Sequence, residues 1–179
     1  MQSSDQTAPD TDDQGSGQDP EQDPRVKFLV LVSPEPESRL TAFFTARRAK
    51  RSNARVTLLH VIEPPEFGHW ATVAETMRAE AQELADGLMR EFTAEVETQS
   101  GEAPEQIIRE GAVVDEIRRL IEEDPKIAIL FLGASSDSEG PGPLVSALAK
   151  NPDYLGARPI PVTVVPGTVT RDDLRVLAG

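Results

Sequence analysis

Apolar residues along this chain come in short runs separated by stretches of helical spacing, and that alternation predicts its elements. Residues 27–32 (KFLVLV) read as a strand, followed by a turn over 33–37. Leu40, Phe43, Phe44 and Arg47 then step at helical spacing toward Asn53. Residues 55–62 (RVTLLHVI) form a second strand, closed by Glu63-Pro64-Pro65. A long helix is predicted from near His69 to about Gln99, with Val73, Met77, Ala81, Leu84, Leu88, Phe92 and Val96 as its inward stripe. Gly87 lies inside it at a cost of ~1 kcal/mol against alanine. Residues 105–109 make a short third strand, and Val113, Val114, Ile117, Leu120 and Ile121 a helix face stopped by Asp124-Pro125.

Residues 127–132 have no polar residue at alternate positions, so both faces are expected to be buried, as in an interior strand of a parallel sheet. This fourth strand is expected to end at Gly133 and enter a polar, glycine-containing loop reaching Gly142. Pro143 stands where a first helical residue tolerates proline, with Leu144 and Leu148 facing inward. Residues 160–165 (IPVTVV) form a fifth strand, halted by Pro166-Gly167. The order β-α-β-α-β-α-β-α-β predicts an α/β fold, a three-layer α/β/α sandwich around a five-stranded parallel sheet, Rossmann-like in type. In such sheets ligands sit outside the carboxyl ends of the strands, so the loop after Gly133 is the first place to look for function.

Composition changes this picture mainly at the N-terminus. Residues 1–24 contain Asp5, Asp10, Asp12, Asp13, Asp19, Glu21 and Asp23, no lysine or arginine, and only Met1 and Ala8 as apolar residues. These acids carry more than half of the net charge of −13. Such a segment buries too little surface to offset its chain entropy. Residues 1–25 are therefore expected to be a disordered acidic tail, 26–167 an α/β domain and 168–179 a C-terminal extension. The start lacks the basic and apolar regions of a secretion signal and the arginines of a transit peptide. No apolar run approaches the roughly 20 residues that span a bilayer, and the absence of cysteine excludes disulfides, thiol catalysis and thiolate metal sites. A soluble cytoplasmic protein without membrane contact is expected. The acidic balance argues against a nucleic-acid partner, which needs a lysine and arginine footprint.

Three segments carry a resemblance. Residues 108–135 read IREGAVVDEIRRLIEEDPKIAILFLGAS, residues 158–166 read RPIPVTVVP, and HVIEPP occupies 60–65. In order and spacing these are similar to the universal stress protein family, over about 27–166. The resemblance implies an adenine-nucleotide alpha hydrolase-like sandwich and divides the possibilities in two. In nucleotide-binding members an aspartate follows the first strand, and a Gly-x2-Gly-x9-Gly-Ser/Thr loop after the fourth strand wraps the phosphates. Glycines let backbone N–H groups approach an anion, and a hydroxyl adds a donor.

The chain departs from that pattern at four places. Ser33-Pro34 stands where the aspartate belongs, and Ser136 where the second glycine belongs. Gly142 follows Gly133 by only nine positions, shorter than the pattern's spacing. Pro143, which has neither hydroxyl nor N–H, follows Gly142. The expectation is a member that does not bind ATP in the usual mode and needs no cofactor, with ATP or AMP as the alternative ligand. If a nucleotide binds, the positions implied are Ser33, Val61, Gly133, Ser135, Gly140, Gly142 and Ser146.

Other features have plain readings. Gly140-Pro141-Gly142 reads as a tight surface turn, with an anion nest as the alternative. Ser135, Ser136 and Ser138 could donate to phosphate, but Asp137 and Glu139 between them would repel it. No metal site is expected. His60 and His69 have no nucleophile beside them, and His60 reads as a satisfied strand histidine. Arg47, Arg48, Lys50 and Arg51 suit a solvated helix terminus, where cations favour the carbonyl end, with the acidic tail as an alternative partner.

The last strand is strongly β-prone. The resemblance implies dimers that pair this strand across a two-fold axis, through Val162, Val164 and Val165. The alternative is an edge covered by residues 171–177. The sequence thus predicts a non-catalytic stress-response protein, a homodimer working through an unidentified protein partner. An adenine-nucleotide sensor with a modified phosphate loop is the second reading.

Overall fold

The structure, a computed structural model, describes residues 23–64, 71–156 and 158–178, with the backbone alone for 71–74. The predicted helix start near His69 lies outside these residues. The elements run β1 (Lys27–Leu31), α1 (Pro36–Ser52), β2 (Arg55–Ile62), α2 (Ala71–Ser100), β3 (Glu105–Glu110), α3 (Val113–Glu123), β4 (Ile127–Ala134), α4 (Pro143–Lys150), β5 (Val162–Pro166) and α5 (Arg171–Ala178). All strands pair in parallel in the order β3-β2-β1-β4-β5. The chain therefore winds outward from β1 to β3, crosses back to β4 and finishes at β5.

Strand alternation sorts the core into two faces. Phe28, Val30, Val56, Leu58 and Phe131 pack with Ala42, Ala46 and Ala49 of α1 and Met89, Phe92 and Val96 of α2. Leu29, Leu59, Val61, Leu130 and Leu132 pack with Ile117, Leu120 and Ile121 of α3. The alanines of α1 let that helix lie close on the sheet. The β1–β4 register shifts at Lys27/Phe28, where Lys27 faces Ile127 and Phe28 faces Ile129. Ala128 is the extra residue, and it puts Ile127 on the same side as Leu130 and Leu132.

The structure corrects several sequence expectations. β4 continues through Gly133 to Ala134, because β5 pairs with it there (Gly133 with Val165, Ala134 with Pro166). β5 begins at Val162 rather than residue 160, and Leu130 donates its N–H to the Pro161 carbonyl at 3.0 Å. Of the described side chains in the predicted inward stripe of α2, only Phe92 and Val96 are buried, and the buried face continues through Met89 and Ala85 instead of Leu88 and Leu84. Ala85, Met89, Phe92 and Val96 are buried, whereas Met77 is 43% and Leu84 75% exposed. Helix phase is the reason for Leu84, which stands next to buried Ala85 but on another face. Length bears on Met77: 30 residues of helix span about 45 Å, whereas the 8-residue β2 spans about 26 Å.

Residues 171–178, expected only as part of a C-terminal extension, form a helix. Its N-terminus is a capping box: Asp173 N–H donates to Thr170 Oγ1 at 3.2 Å, and Thr170 N–H donates to Asp173 Oδ2 at 3.2 Å. The Thr170 hydroxyl, followed by the backbone bond, holds the Asp173 carboxyl below its ordinary range. Arg158 closes another helix end, donating to the carbonyls of Ile121, Asp124 and Ile127 at 3.4, 3.4 and 2.8 Å.

The amino ends of the strands carry an ion-pair network. Asp23 pairs with Arg25 (2.7 Å) and Arg55 (3.3 Å), and Arg25 reaches Glu102 at 2.5 Å. Lys27 bridges Glu105 (2.8 Å) and Asp124 (2.7 Å), and buried Thr57 donates to Glu105 at 2.7 Å. Hydrogen bonds from Arg25 depress the carboxyls of Asp23 and Glu102. Burial works against the Lys27 charge, but Asp124 and Glu105 outweigh it and raise its pKa.

The stability contributed by Asp23 and Glu102 is full above their unfolded values, about 3.9 and 4.3. It is lost as pH falls through their lower folded values. The Lys27 contribution runs the other way. It is full below about 10.4 and lost as pH rises through its raised folded value. Thermal midpoints recorded from about pH 5 downward are expected to fall less steeply in Glu102→Gln than in the wild type. Parallel slopes would contradict this assignment.

Candidate functional site

The sheet reverses its winding between β1 and β4, and a cleft of about 420 Å³ opens at their carboxyl ends. Leu31 and Ser33 line it from β1 and the turn beyond, Glu37 and Ser38 from the first turn of α1, and Glu63 from beyond β2. Val113 and Val114 of α3, Leu132 and Gly133 of β4, and Leu144 and Val145 of α4 supply most of the rest. Those α3 and α4 residues are half-buried, because the cleft leaves one side of each unpacked. A second, more open hollow of about 660 Å³ lies against the loop after β4, lined by Ser135, Asp137, Ser138, Glu139, Gly140 and Ser146. Gly142 and Pro143 border both.

Each piece of the cleft has a local cause. Ser38 closes the β1–α1 turn: its hydroxyl accepts the Ser33 N–H at 3.0 Å and donates to the Leu31 carbonyl at 3.3 Å. Ser38 is therefore buried, and the turn is fixed without an acidic side chain. Gly133 is dictated by packing. A Cβ there would stand 2.8 Å from Glu37 Cγ and 3.0 Å from the Glu37 carbonyl carbon and oxygen. Only glycine admits the first turn of α1 against β4. Gly142 differs, with open space around it but φ 92° and ψ 159°, a conformation essentially reserved for glycine. It sets the entry angle of α4.

The electrostatics of the site are one-sided. The charged residues lining the cleft are Glu37 and Glu63, and those lining the outer hollow are Asp137 and Glu139. Among the described residues, no lysine, arginine or histidine lines either. Main-chain donors are also few. In the first turn of α4, Pro143 has no N–H, and the Ser146 N–H is committed to the Gly142 carbonyl at 3.0 Å. Leu144 and Val145 remain as first-turn amides without an intrahelical acceptor. Ser135 is also engaged, accepting the Asp137 N–H at 3.1 Å. Among the described residues, no group of three or more acidic or histidine side chains is placed to hold a metal ion.

The structure divides the residues singled out from the sequence. Ser33, Gly133 and Gly142 meet at the cleft, and Ser135, Gly140, Gly142 and Ser146 at the outer hollow. Val61 reaches neither. It is 8% exposed in the core beside α3 and borders a separate hollow between β2 and α2. His60 is satisfied, with Nδ1 2.8 Å from the Val32 carbonyl, to which it donates. His69 lies outside the described residues. Glu37, Glu63 and the α3 start were missed from sequence. Their signal was positional, since each lies just past a strand or in a first helical turn on the carboxyl side of the sheet.

At the outer sheet edge, β5 pairs only with β4 among the described residues. Val164 is 40% exposed and Val162 half-buried, but Val165 is 3% exposed. The Val165 side chain packs with Phe43 of α1 and Leu174 of α5, so it is spent inside the protomer. α5 packs on α1 rather than along the β5 edge. Among the described residues, no helix is long and apolar enough to cross a membrane.

The sequence model of the Universal stress protein family matches residues 25–166. No curated protein sequence matches significantly. Solved structures share the fold. A universal stress protein UspA from Lactobacillus plantarum aligns with a TM-score of 0.65 and 22% identity, covering 80% of this chain and 99% of its own. A universal stress protein in complex with cAMP aligns at 0.57 and 16% identity, covering 80% and 98%. A universal stress protein family member from Arabidopsis thaliana with AMP bound aligns at 0.51 and 19% identity, covering 83% and 94%.

Proposed function

The chain belongs to the universal stress protein family, and from that premise we propose that it is a non-catalytic, homodimeric member that does not hold a nucleoside triphosphate. One observation carries this reading: among the described residues, the cleft at the β1/β4 reversal is lined by two carboxylates and no cation. A triphosphate would bring several negative charges beside Glu37 and Glu63, with Pro143 removing one amide from the helix terminus that usually meets an anion. Function then rests on protein contacts.

The contact proposed is the outer edge of β5. Its unpaired backbone groups and the side chains of Val162 and Val164 suit strand pairing about a two-fold axis. Sedimentation at tens of micromolar is expected to give a dimer for the wild type and a monomer for Val164→Asp, which leaves the protomer core untouched. A monomeric wild type would contradict the dimer.

A second reading has its own support. The cleft is large enough for a nucleoside, and Gly140 and Gly142 have no atom within 4 Å of where a Cβ would lie. Two structural neighbours carry cAMP or AMP. In this reading the protein is an adenine-nucleotide sensor that places a monophosphate over the α4 terminus. Titration with AMP beside ATP separates the two: saturable AMP binding lost in Gly142→Asp favours the sensor.

A further inference from the structure

Of the 18 lysines and arginines in this chain, most are engaged. Arg25, Lys27, Arg55 and Arg109 sit in networks, Arg39, Arg78, Arg118, Arg119, Arg171 and Arg175 each pair with a carboxylate, and Arg158 donates to backbone carbonyls. Arg47 lies over the Phe43 ring. Arg48, Lys50 and Arg51 are different: all three are exposed, and none has an ion pair or hydrogen bond to a described residue. Arg90 and Lys150 share that condition, but each stands alone on its helix. A cluster of three cations without a partner among the described residues is unexpected in a chain of net charge −13.

Its position names an occupant. The cluster ends α1, and Lys50 borders the same small hollow as Arg55 and Glu102. Asp23, where the described chain starts, is bound to Arg25 and to that same Arg55. The acidic N-terminal segment therefore enters the fold beside the basic helix end. It brings Asp5, Asp10, Asp12, Asp13, Asp19 and Glu21, with no cation of its own. Four residues of extended chain reach about 13 Å, which is the tether from Asp23 to Asp19, with Glu21 halfway along it. The last turn of α1 also presents its carbonyl end, which holds the cations at the surface and does not neutralise them.

We propose that residues 1–22 dock in cis onto Arg48, Lys50 and Arg51, extending the Asp23–Arg55 pair along the end of α1 and shielding this basic cluster from other anions. The inference is independent of what the cleft binds. The chain has no cysteine, so Ser16→Cys supplies a single thiol for a spin label on the full-length protein, read through backbone amide signals. At low salt the amides of residues 48–53 are expected to be attenuated several-fold, and those of residues 135–138 at the opposite end to keep their intensity. The attenuation should vanish near 1 M salt, where the screening length is about 3 Å. It should also vanish in Arg48→Glu/Lys50→Glu/Arg51→Glu, whose spectrum reports its own folding. A second variant, Asp10→Asn/Asp12→Asn/Asp13→Asn/Asp19→Asn/Glu21→Gln, changes only the segment and should give the same loss. Equal attenuation at both ends would overturn the proposal, as would attenuation that survives both variants. So would attenuation that arises only between differently labelled chains, which would assign the contact to a second copy.

Discussion

Replacing Phe43 by alanine is expected to lower the unfolding free energy by about 3–5 kcal/mol, the largest effect of any single change considered. Phe43 is 1% exposed and joins three elements, packing from α1 onto Val165 of β5 and Leu174 of α5. Little nearby can collapse into the space, because β5 is fixed by its ladder to β4 and α5 by its cap. Guanidinium groups also surround the ring, with Arg171 at 4.9 Å, Arg47 at 5.8 Å and Arg175 at 5.9 Å from its centroid. Each such contact is worth about 0.5–1 kcal/mol at an exposed site. Denaturant unfolding of Phe43→Ala and Phe43→Leu tests this. The leucine variant keeps most of the buried volume, so its loss should be clearly smaller. Equal losses would show that the ring's charge contacts, and not the cavity, dominate.

Gly133→Val is the second large effect, expected to cost about 1–3 kcal/mol. The reason is the approach of α1 to β4. The new Cβ meets Glu37 Cγ at 2.8 Å, which can swing away, and the Glu37 carbonyl carbon and oxygen at 3.0 Å, which cannot. A Glu37→Ala background should therefore recover only part of the loss, a coupling that a double-mutant cycle measures directly. Full recovery would mean that the glycine accommodates only a side chain. The pair also clarifies the motif. This glycine is retained for helix packing whether or not a phosphate is ever present.

The fold was legible because its signals were strong and redundant. Five apolar runs, each closed by proline, glycine or an acidic turn, marked the strands, and the alternating order left little choice of topology. What misled was length and local chemistry. The stripe on α2 was continuous, but the buried face runs through Ala85 and Met89, so Leu84 faces outward, and Met77 lies farther along a helix longer than the strand beneath it. Gly133 looked like a terminator, yet β5 pairs past it. The helix α5 was announced by Thr170 and Asp173 at capping-box spacing, a signal that was available in the sequence. Val165 looked like its neighbours in the strand, but the pleat turns it inward while Val164 faces out.

The site was legible only in part. Departures from the binding pattern at Ser33, Ser136 and Pro143 were legible in the sequence, and the structure places Ser33 and Pro143 at the cleft. Glu37 and Glu63 could not be placed from sequence, because their convergence depends on three elements meeting at one sheet edge. Ser38 closes the β1–α1 turn through local bonds to Ser33 and Leu31, and a lone serine in a first helical turn gives no sequence signal of that role.

Equilibrium dialysis of the full chain against labelled ATP is the most direct measurement. An anion-repelling cleft predicts no saturable uptake at micromolar nucleotide and no nucleotide carried through purification. Saturable binding of ATP that disappears in Gly142→Asp would contradict it.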